Sequence, residues 1–232
     1  MVNWSLKTKP IFLYVFVDLF SGLGGASQAA LDAGWHVLRF DNNEALRGEV
    51  HNTSFWDISG TGFRFHLMKQ LEDYAQSIGV ATGDLQVLLW GSPPCTEFSE
   101  GYNAPRIVAR REGRDFTPDT SLVERFLEIR DSINPKWWCL ENVKGSIPFI
   151  APLVNKAAEN REWERANAFP QVIGPFVLWH NFAPIQVPFG WRPKRKTDLW
   201  PSPLRANLRA KVPIEISQGV LNAIYQTTVE AF

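Results

Sequence analysis

The chain has little cysteine, no net charge and no long apolar run. Two cysteines in 232 residues, Cys95 and Cys139, cannot make a disulfide framework, which excludes a stapled secreted scaffold and points to a reducing, intracellular setting such as the cytoplasm. Basic and acidic residues balance at 24 each, so no global field draws the protein to nucleic acid or membrane. Any polyanion site must come from local clustering. The apolar run from Ile11 to Val17 is too short to span a bilayer, ends at Asp18, and is followed by no small-residue cleavage site; it reads as a buried strand. Internal repeats, low-complexity tracts and a linker marking a second domain are also missing. One domain over residues 1–232, with 1–10 as a leader, is the expectation. What the chain has in excess is tryptophan, ten residues, several beside polar or basic stretches.

Strand-like and helix-like segments alternate through the first two-thirds. Ile11 to Val17, His36 to Phe40, Val87 to Trp90 and Trp137 to Leu140 read as strands. Gly24 to Ala33 and Glu44 to His51 read as helices. So do the apolar faces Leu67, Leu71, Tyr74, Ala75, Ile78 (stopped by Gly79) and Leu122, Phe126, Ile129, Ile133 (stopped by Asn134-Pro135). This rhythm predicts an α/β fold, a mostly parallel sheet with helices on both faces. Beyond it, Ile150 to Ala168 reads as helix, Val172 to Trp179 and Thr197 to Trp200 as late strands, and Pro213 as the start of a terminal helix with Val220, Leu221, Ile224 and Tyr225 inward. Ligands of such sheets bind outside the carboxyl ends of the strands. Asp18, Asp41, Cys95 and Glu141 each fall at or just beyond such an end.

Five segments carry chemistry. In Asp18-Leu19-Phe20-Ser21-Gly22-Leu23-Gly24-Gly25, glycines between a strand and a helix let backbone approach a ligand; a tight turn without ligand is the plain alternative. Ser27 stands where a dinucleotide fingerprint would carry its third glycine. Asp41 suits a ribose hydroxyl or the cap of a following helix equally. Pro93-Pro94-Cys95 ends a strand in a stiff turn and then presents a thiol, a good mount for a nucleophile, although a lone cysteine is often just a small buried apolar residue. Glu141 is delivered by the apolar strand Trp137 to Leu140, where burial suits a carboxyl of raised pKa and a salt bridge is the plain alternative; Cys139 reads as core. From Arg192 to Lys211 seven basic residues face one acidic residue, with Trp191 and Trp200 alongside, a composition suited to phosphate contact and stacking or to a solvated surface. Residues 100–118, carrying Arg106, Arg110, Arg111 and Arg114, read as a mobile loop after the thiol, a lid or plain surface disorder.

In this order the segments resemble the DNA cytosine-5 methyltransferases, over roughly residues 11–145. The resemblance implies a Rossmann-like class I S-adenosylmethionine-dependent methyltransferase fold. It implies that Asp18, Phe20, Gly22, Leu23, Gly24 and Gly25 hold S-adenosylmethionine, with Asp41 near the place of the ribose-binding acid. Trp56-Asp57-Ile58 resembles the short motif whose aspartate bonds the adenine amino group, which adds Asp57 and Ile58; Pro93 joins this set. Cys95, with Phe98 and Ser99, matches the nucleophile motif, and Glu141-Asn142-Val143 the motif whose glutamate contacts the target base. Arg192 to Lys196 occupies the place of the family's Gln-x-Arg-x-Arg. The resemblance implies that one of Arg192, Arg195 or the adjacent lysines binds the cytosine O2 or a phosphate, with Arg195 assigned as catalytic and Arg192, Lys194 and Lys196 as DNA contacts; Ser99 and Arg106, after the thiol, join the DNA contacts. No metal is implied.

The chain departs from the family pattern in two places. Ser217-Gln218-Gly219-Val220 stands where a Gly-Asn motif is usual. Residues 150–190 form a reduced region where relatives carry a target-recognition domain, so recognition is minimal, rebuilt from other loops, or supplied by a protein partner. The resemblance implies attack of Cys95 on cytosine C6 in a flipped base of DNA and methylation at C5, as in restriction-modification systems. Its alternatives are RNA or single-stranded DNA as substrate, and an inactive methyltransferase-like binding module.

Overall fold

The computed structural model describes residues 13–50, 53–158, 170–193 and 204–230. The expected leader 1–10, the expected strand Thr197 to Trp200, and Lys194, Arg195 and Lys196 lie outside the described residues.

Among the described residues, seven strands make one sheet: β1 (Tyr14–Leu19), β2 (His36–Asp41), β3 (Thr53–Phe55), β4 (Gln86–Gly91), β5 (Trp137–Val143), β6 (Gln171–Ile173) and β7 (Phe176–His180). Their order is β3-β2-β1-β4-β5-β7-β6. The first five run parallel, and the β6–β7 hairpin adds antiparallel strands beyond β5. The helices are α1 (Gln28–Asp32), α2 (Phe63–Ser77), α3 (Pro105–Arg111), α4 (Ser121–Ile133), α5 (Ile147–Ala158), α6 (Arg205–Ala210) and α7 (Ile214–Glu230). None is long and apolar enough to cross a membrane.

β1 is buried along its whole length because its alternate residues feed two cores. Val15, Val17 and Leu19 pack with Phe63, Leu67, Phe126 and Val154 from α2, α4 and α5. Tyr14 and Phe16 face the other way, with Ala29, Ala30, Val220 and Ile224 from α1 and α7. Helices therefore cover both faces, as the alternating pattern predicts. The register brings the strand ends level: Leu19 pairs with Phe40 on one side and Gly91 on the other, and Gly91 pairs with Leu140. The loops after β1, β2 and β4 thus leave from one edge.

Two glycines make this packing possible. A Cβ on Gly91 would lie 2.3 Å from Cδ2 of Phe126, a ring fully buried under α4. Gly91→Ala is expected to cost about 2–3 kcal/mol through overpacking, read as a lower midpoint in urea at unchanged slope. An unchanged midpoint would show that the ring can move aside. A Cβ on Gly219 would meet the Gln186 carbonyl oxygen at 2.5 Å. Beside it, Ser217 donates to the Ala26 carbonyl (2.6 Å) and accepts from the Ala29 N–H (3.0 Å), tying α7 to the start of α1. Ser217-Gln218-Gly219 therefore docks the terminal helix against the loop after β1.

Several elements differ from the sequence expectation. The helix expected from Gly24 shrinks to Gln28–Asp32, because Gly22 and Gly24 take φ of +51° and +66° and unwind its first turns. Of the helix expected from Glu44 to His51, the described residues up to Val50 give a three-residue 3-10 turn, capped by the Asn43 side chain and followed by Gly48 at φ +88°. Val172 to Trp179 is a hairpin, broken at Gly174 with φ +60°. The inner face of α4 uses Val123 (1 % exposed) where the spacing named Leu122. The loop expected at 100–118 holds α3, opened by Pro105 and ended by Arg110 and Arg111. Strand β3 has no expected counterpart; three residues are too few to show a period.

Candidate active site

The loop after β1 is pinned at three points. The Ser21 N–H donates to the Phe40 carbonyl (3.0 Å), the Gly24 N–H to the Ser21 carbonyl (2.8 Å), and the Gly22 N–H to Oδ2 of Asp41 (2.8 Å). Asp41 also accepts from the Asn43 N–H through Oδ1 at 2.8 Å, so its carboxylate fastens the loop and the turn beyond β2 together. Each oxygen keeps a second lone pair for a ligand hydroxyl. Phe20 sits at φ +57°, a conformation costly for a side-chain-bearing residue. Leu23 is half-buried. A Cβ on Gly25 would meet the Val212 carbonyl oxygen at 2.4 Å, so the segment before α7 lies directly against this loop.

Beneath the loop is a buried network that the sequence did not announce. Ser27 donates to Oδ2 of Asp18 (2.6 Å) and accepts from Nε of Arg39 (2.9 Å), while Nη2 of Arg39 reaches the Gly24 carbonyl (3.2 Å). Burial pushes the Asp18 carboxyl up to about 7, against the pull of the Ser27 hydroxyl and the Arg39 guanidinium. Two buried polar atoms at the loop, Oδ1 of Asp18 and the Ser21 hydroxyl, have no partner. Such atoms call for a polar ligand or water. The only signal in the chain was Ser27 itself, at the position a dinucleotide fingerprint gives to glycine.

Pro93-Pro94-Cys95 leaves the end of β4 and is held on both sides. The Ser92 N–H donates to the Leu19 carbonyl (3.2 Å), and Nδ2 of Asn142 on β5 donates to the Pro93 carbonyl (3.1 Å). Phe98 closes the turn onto the Cys95 carbonyl (3.1 Å). Its own carbonyl oxygen would lie 2.1 Å from a Cβ on Gly145, so glycine is required at the β5–α5 junction. Arg106 donates to the Gly145 carbonyl (3.0 Å), pairs with Glu100 (3.6 Å) and lies over the Phe149 ring. It clamps the segment after Cys95 to the β5–α5 junction and the first turn of α5. Ser99 accepts from the Gly101 N–H (3.1 Å).

Glu141 lies inside β5, not beyond it, because pairing with β7 extends the strand to Val143. It is 8 % exposed, and burial raises its carboxyl to about 7 although the Ser92 hydroxyl, bonded to it, pulls the other way. The Ser92 hydroxyl also accepts from Nε1 of Trp90 at 2.7 Å. Cys95 is half-buried; burial and then the Glu141 charge raise its thiol, while its own backbone bond and Arg209 of α6 lower it. The Glu141 charge therefore acts on the Cys95 thiol from the neighbouring parallel strand. Arg209 is the site neighbour that sequence reasoning missed; it stood out only as part of a basic cluster. Cys139 is fully buried in core.

The remaining expected residues are more dispersed. Asp57 is exposed and accepts from the N–H (3.0 Å) and hydroxyl (2.6 Å) of Ser59, bonds that hold its carboxyl below the ordinary range. Ile58 is 3 % exposed and packs in the core, with Arg125 bonded to its carbonyl. Arg192 is exposed. Among the described residues no group of three or more His, Cys, Asp or Glu is placed to hold a metal.

The profile of the C-5 cytosine-specific DNA methylases matches residues 14–148, more than half of the chain. Among curated proteins, the chain is 29 % identical over 128 residues to the Type II methyltransferase M.HindV of Haemophilus influenzae, across 55 % of this chain and 37 % of that protein. Among solved structures, it is similar to a protein described as a proposed DNA modification methyltransferase encoded within an E. coli prophage. That match has a TM-score of 0.44 and 18 % identity, and covers 72 % of this chain and 46 % of the other. The chain thus spans well under half the length of that curated relative. The matched segment runs from β1 to the start of α5 and takes in the glycine loop, the Pro-Pro-Cys turn and Glu141, and by that match the chain belongs to the C-5 cytosine-specific DNA methylase family.

Proposed function

We propose that the protein transfers a methyl group from S-adenosylmethionine to C5 of cytosine in DNA, with Cys95 as nucleophile. The observation that carries this reading is the placing of Cys95, just beyond β4, within reach of the charge of Glu141 on the adjacent parallel strand β5, beside the loop whose Asp18 Oδ1 and Ser21 hydroxyl lack partners. A cofactor with amino, carboxylate and ribose hydroxyl groups suits those orphaned atoms and the free lone pairs of Asp41. Phe20, Gly22, Leu23, Gly24, Gly25, Asp57, Ile58 and Pro93 complete the proposed cofactor set. S-adenosylmethionine, when bound, supplies an electrophilic methyl group.

The protein's own residues do the rest. Cytosine C5 is a weak nucleophile, and addition of the Cys95 thiolate to C6 makes it enamine-like. Negative charge then builds toward N3 of the ring. A Glu141 carboxyl raised to about 7 by burial can carry its proton near neutral pH, so it can donate to N3 while its other oxygen accepts from the exocyclic amine. Once C5 is methylated, loss of its proton and expulsion of Cys95 restore the aromatic ring. C6 is hidden in a duplex, so the base must leave the stack, at roughly a few kcal/mol. The segment clamped by Arg106 flanks the thiol and suits the role of cover. Arg195 fits the catalytic role, and Arg192, Lys194, Lys196 and Ser99 fit contacts to the DNA, consistent with the basic run from Arg192.

The test is incubation with S-adenosylmethionine labelled in its methyl group and mixed-sequence duplex DNA, denatured DNA or tRNA, then digestion to nucleosides. Labelled 5-methyldeoxycytidine is the expected product. Label only in RNA would reassign the substrate, and no label in any of the three would refute methyl transfer.

A further inference from the structure

The most exposed large apolar side chain among the described residues is Phe189, at 109 % of its reference area. It stands at the tip of Pro188-Phe189-Gly190-Trp191, where the Trp191 N–H donates to the Pro188 carbonyl (2.9 Å) and Gly190 takes φ +75°. That is the geometry of a tight turn with glycine at its third position, so the tip is stiff. Both limbs are anchored. Ile185 is buried and Val187 packs beside it in the second core, and the Gln186 carbonyl lies against Gly219. On the other limb Trp191 and Pro193 lie over Gly174, 3.5 and 3.4 Å from where its Cβ would be. Gly174 is the β6–β7 turn, and the register pairs Phe176 with Val143, two residues past Glu141. The limb after the tip is therefore packed at the edge of the sheet where β5, the strand of Glu141, ends. The basic run begins immediately after it, at the exposed Arg192.

A rigid mount that holds one phenylalanine in water, close in sequence to an exposed cation and anchored at the edge where the Glu141 strand ends, matches the demands on an apolar wedge. We infer that Phe189 inserts into the base stack of the DNA and helps hold the duplex open at the target cytosine. The inference rests on the methyl-transfer reading above. Ring insertion replaces the stacking that the extruded base gives up, so Phe189 matters for a matched duplex and much less for strands that are already unstacked.

The experiment compares wild type, Phe189→Ala and Phe189→Trp on mixed-sequence DNA, duplex and heat-denatured, with labelled S-adenosylmethionine. The expected result is a duplex-to-single-strand rate ratio at least about tenfold lower in Phe189→Ala and restored in Phe189→Trp. A ratio in Phe189→Ala equal to that of wild type overturns the wedge alone. Wild-type protein that labels neither form of DNA overturns the methyl-transfer reading and the wedge with it. Because the ring is fully exposed, its truncation leaves the core untouched, and an unchanged thermal midpoint verifies this.

Discussion

Cys95→Ala is expected to lose methyl transfer, by on the order of 10⁴-fold or more, while binding S-adenosylmethionine as wild type does. The two parts separate because different bonds hold them. The loop proposed for the cofactor is fixed by Ser21 to Phe40, Gly22 to Asp41 and Gly24 to Ser21, none of which involves the thiol. The turn that mounts Cys95 is fixed through the Pro93 and Cys95 carbonyls, which alanine keeps. Calorimetry with S-adenosylmethionine reads the first part and methyl incorporation the second. Covalent attack has its own signature. Fluorine at C5 cannot leave as a cation, so DNA carrying 5-fluorocytosine should trap wild type in a complex that survives denaturant, and should not trap Cys95→Ala. Turnover by the alanine variant at the wild-type rate would remove Cys95 from the chemistry.

Glu141→Gln should act in two opposite directions at once. Methyl transfer falls by about 10²–10⁴-fold, since glutamine cannot give a proton to N3. Cys95, however, becomes easier to alkylate. The Glu141 carboxylate raises the thiol, so a neutral amide in its place lowers it and increases the thiolate fraction at a given pH. The sign holds only where Glu141 is charged. Its carboxyl titrates near 7, so the alkylation rates of the two proteins should diverge above that pH and converge below it. Arg209→Ala should shift the profile the other way, because Arg209 lowers the thiol. Iodoacetamide gives a clean reading, as Cys139 is fully buried and out of reach. Superimposable profiles for wild type and Glu141→Gln would mean that the two groups do not share a site.

The parts legible in the sequence share a physical basis: each is set by local chain chemistry. Apolar runs of four to seven residues ending in Asp18, Gly91 and Glu141 marked the parallel strands. Parallel strands bury both faces, so they read as continuous apolar segments. The stiff Pro-Pro turn before Cys95 and the glycines after Asp18 are likewise local demands on the backbone. Given parallel strands, their carboxyl ends had to lie at one edge, and so the grouping of Asp18, Asp41, Cys95 and Glu141 followed from topology alone. Length was harder. Alanine-rich propensity favours a helix from Gly24, but positive φ at Gly22 and Gly24, which propensity does not reveal, delays its start to Gln28.

What only the tertiary structure decided are contacts between residues far apart in the chain. No spacing rule links Arg39 to Ser27 and Asp18, or Ser217 to the first turn of α1 188 residues earlier. Nor does any pattern bring Arg209 to Cys95. The ionisation of the site belongs to this class too. Glutamate and cysteine are the same residues in any sequence, and it is burial at the sheet edge that moves Glu141 to about 7 and raises Cys95. The sequence thus determined which groups this protein can use and at which edge they meet. Folding decided their protonation and their neighbours, because desolvation and charge act through space and not along the chain.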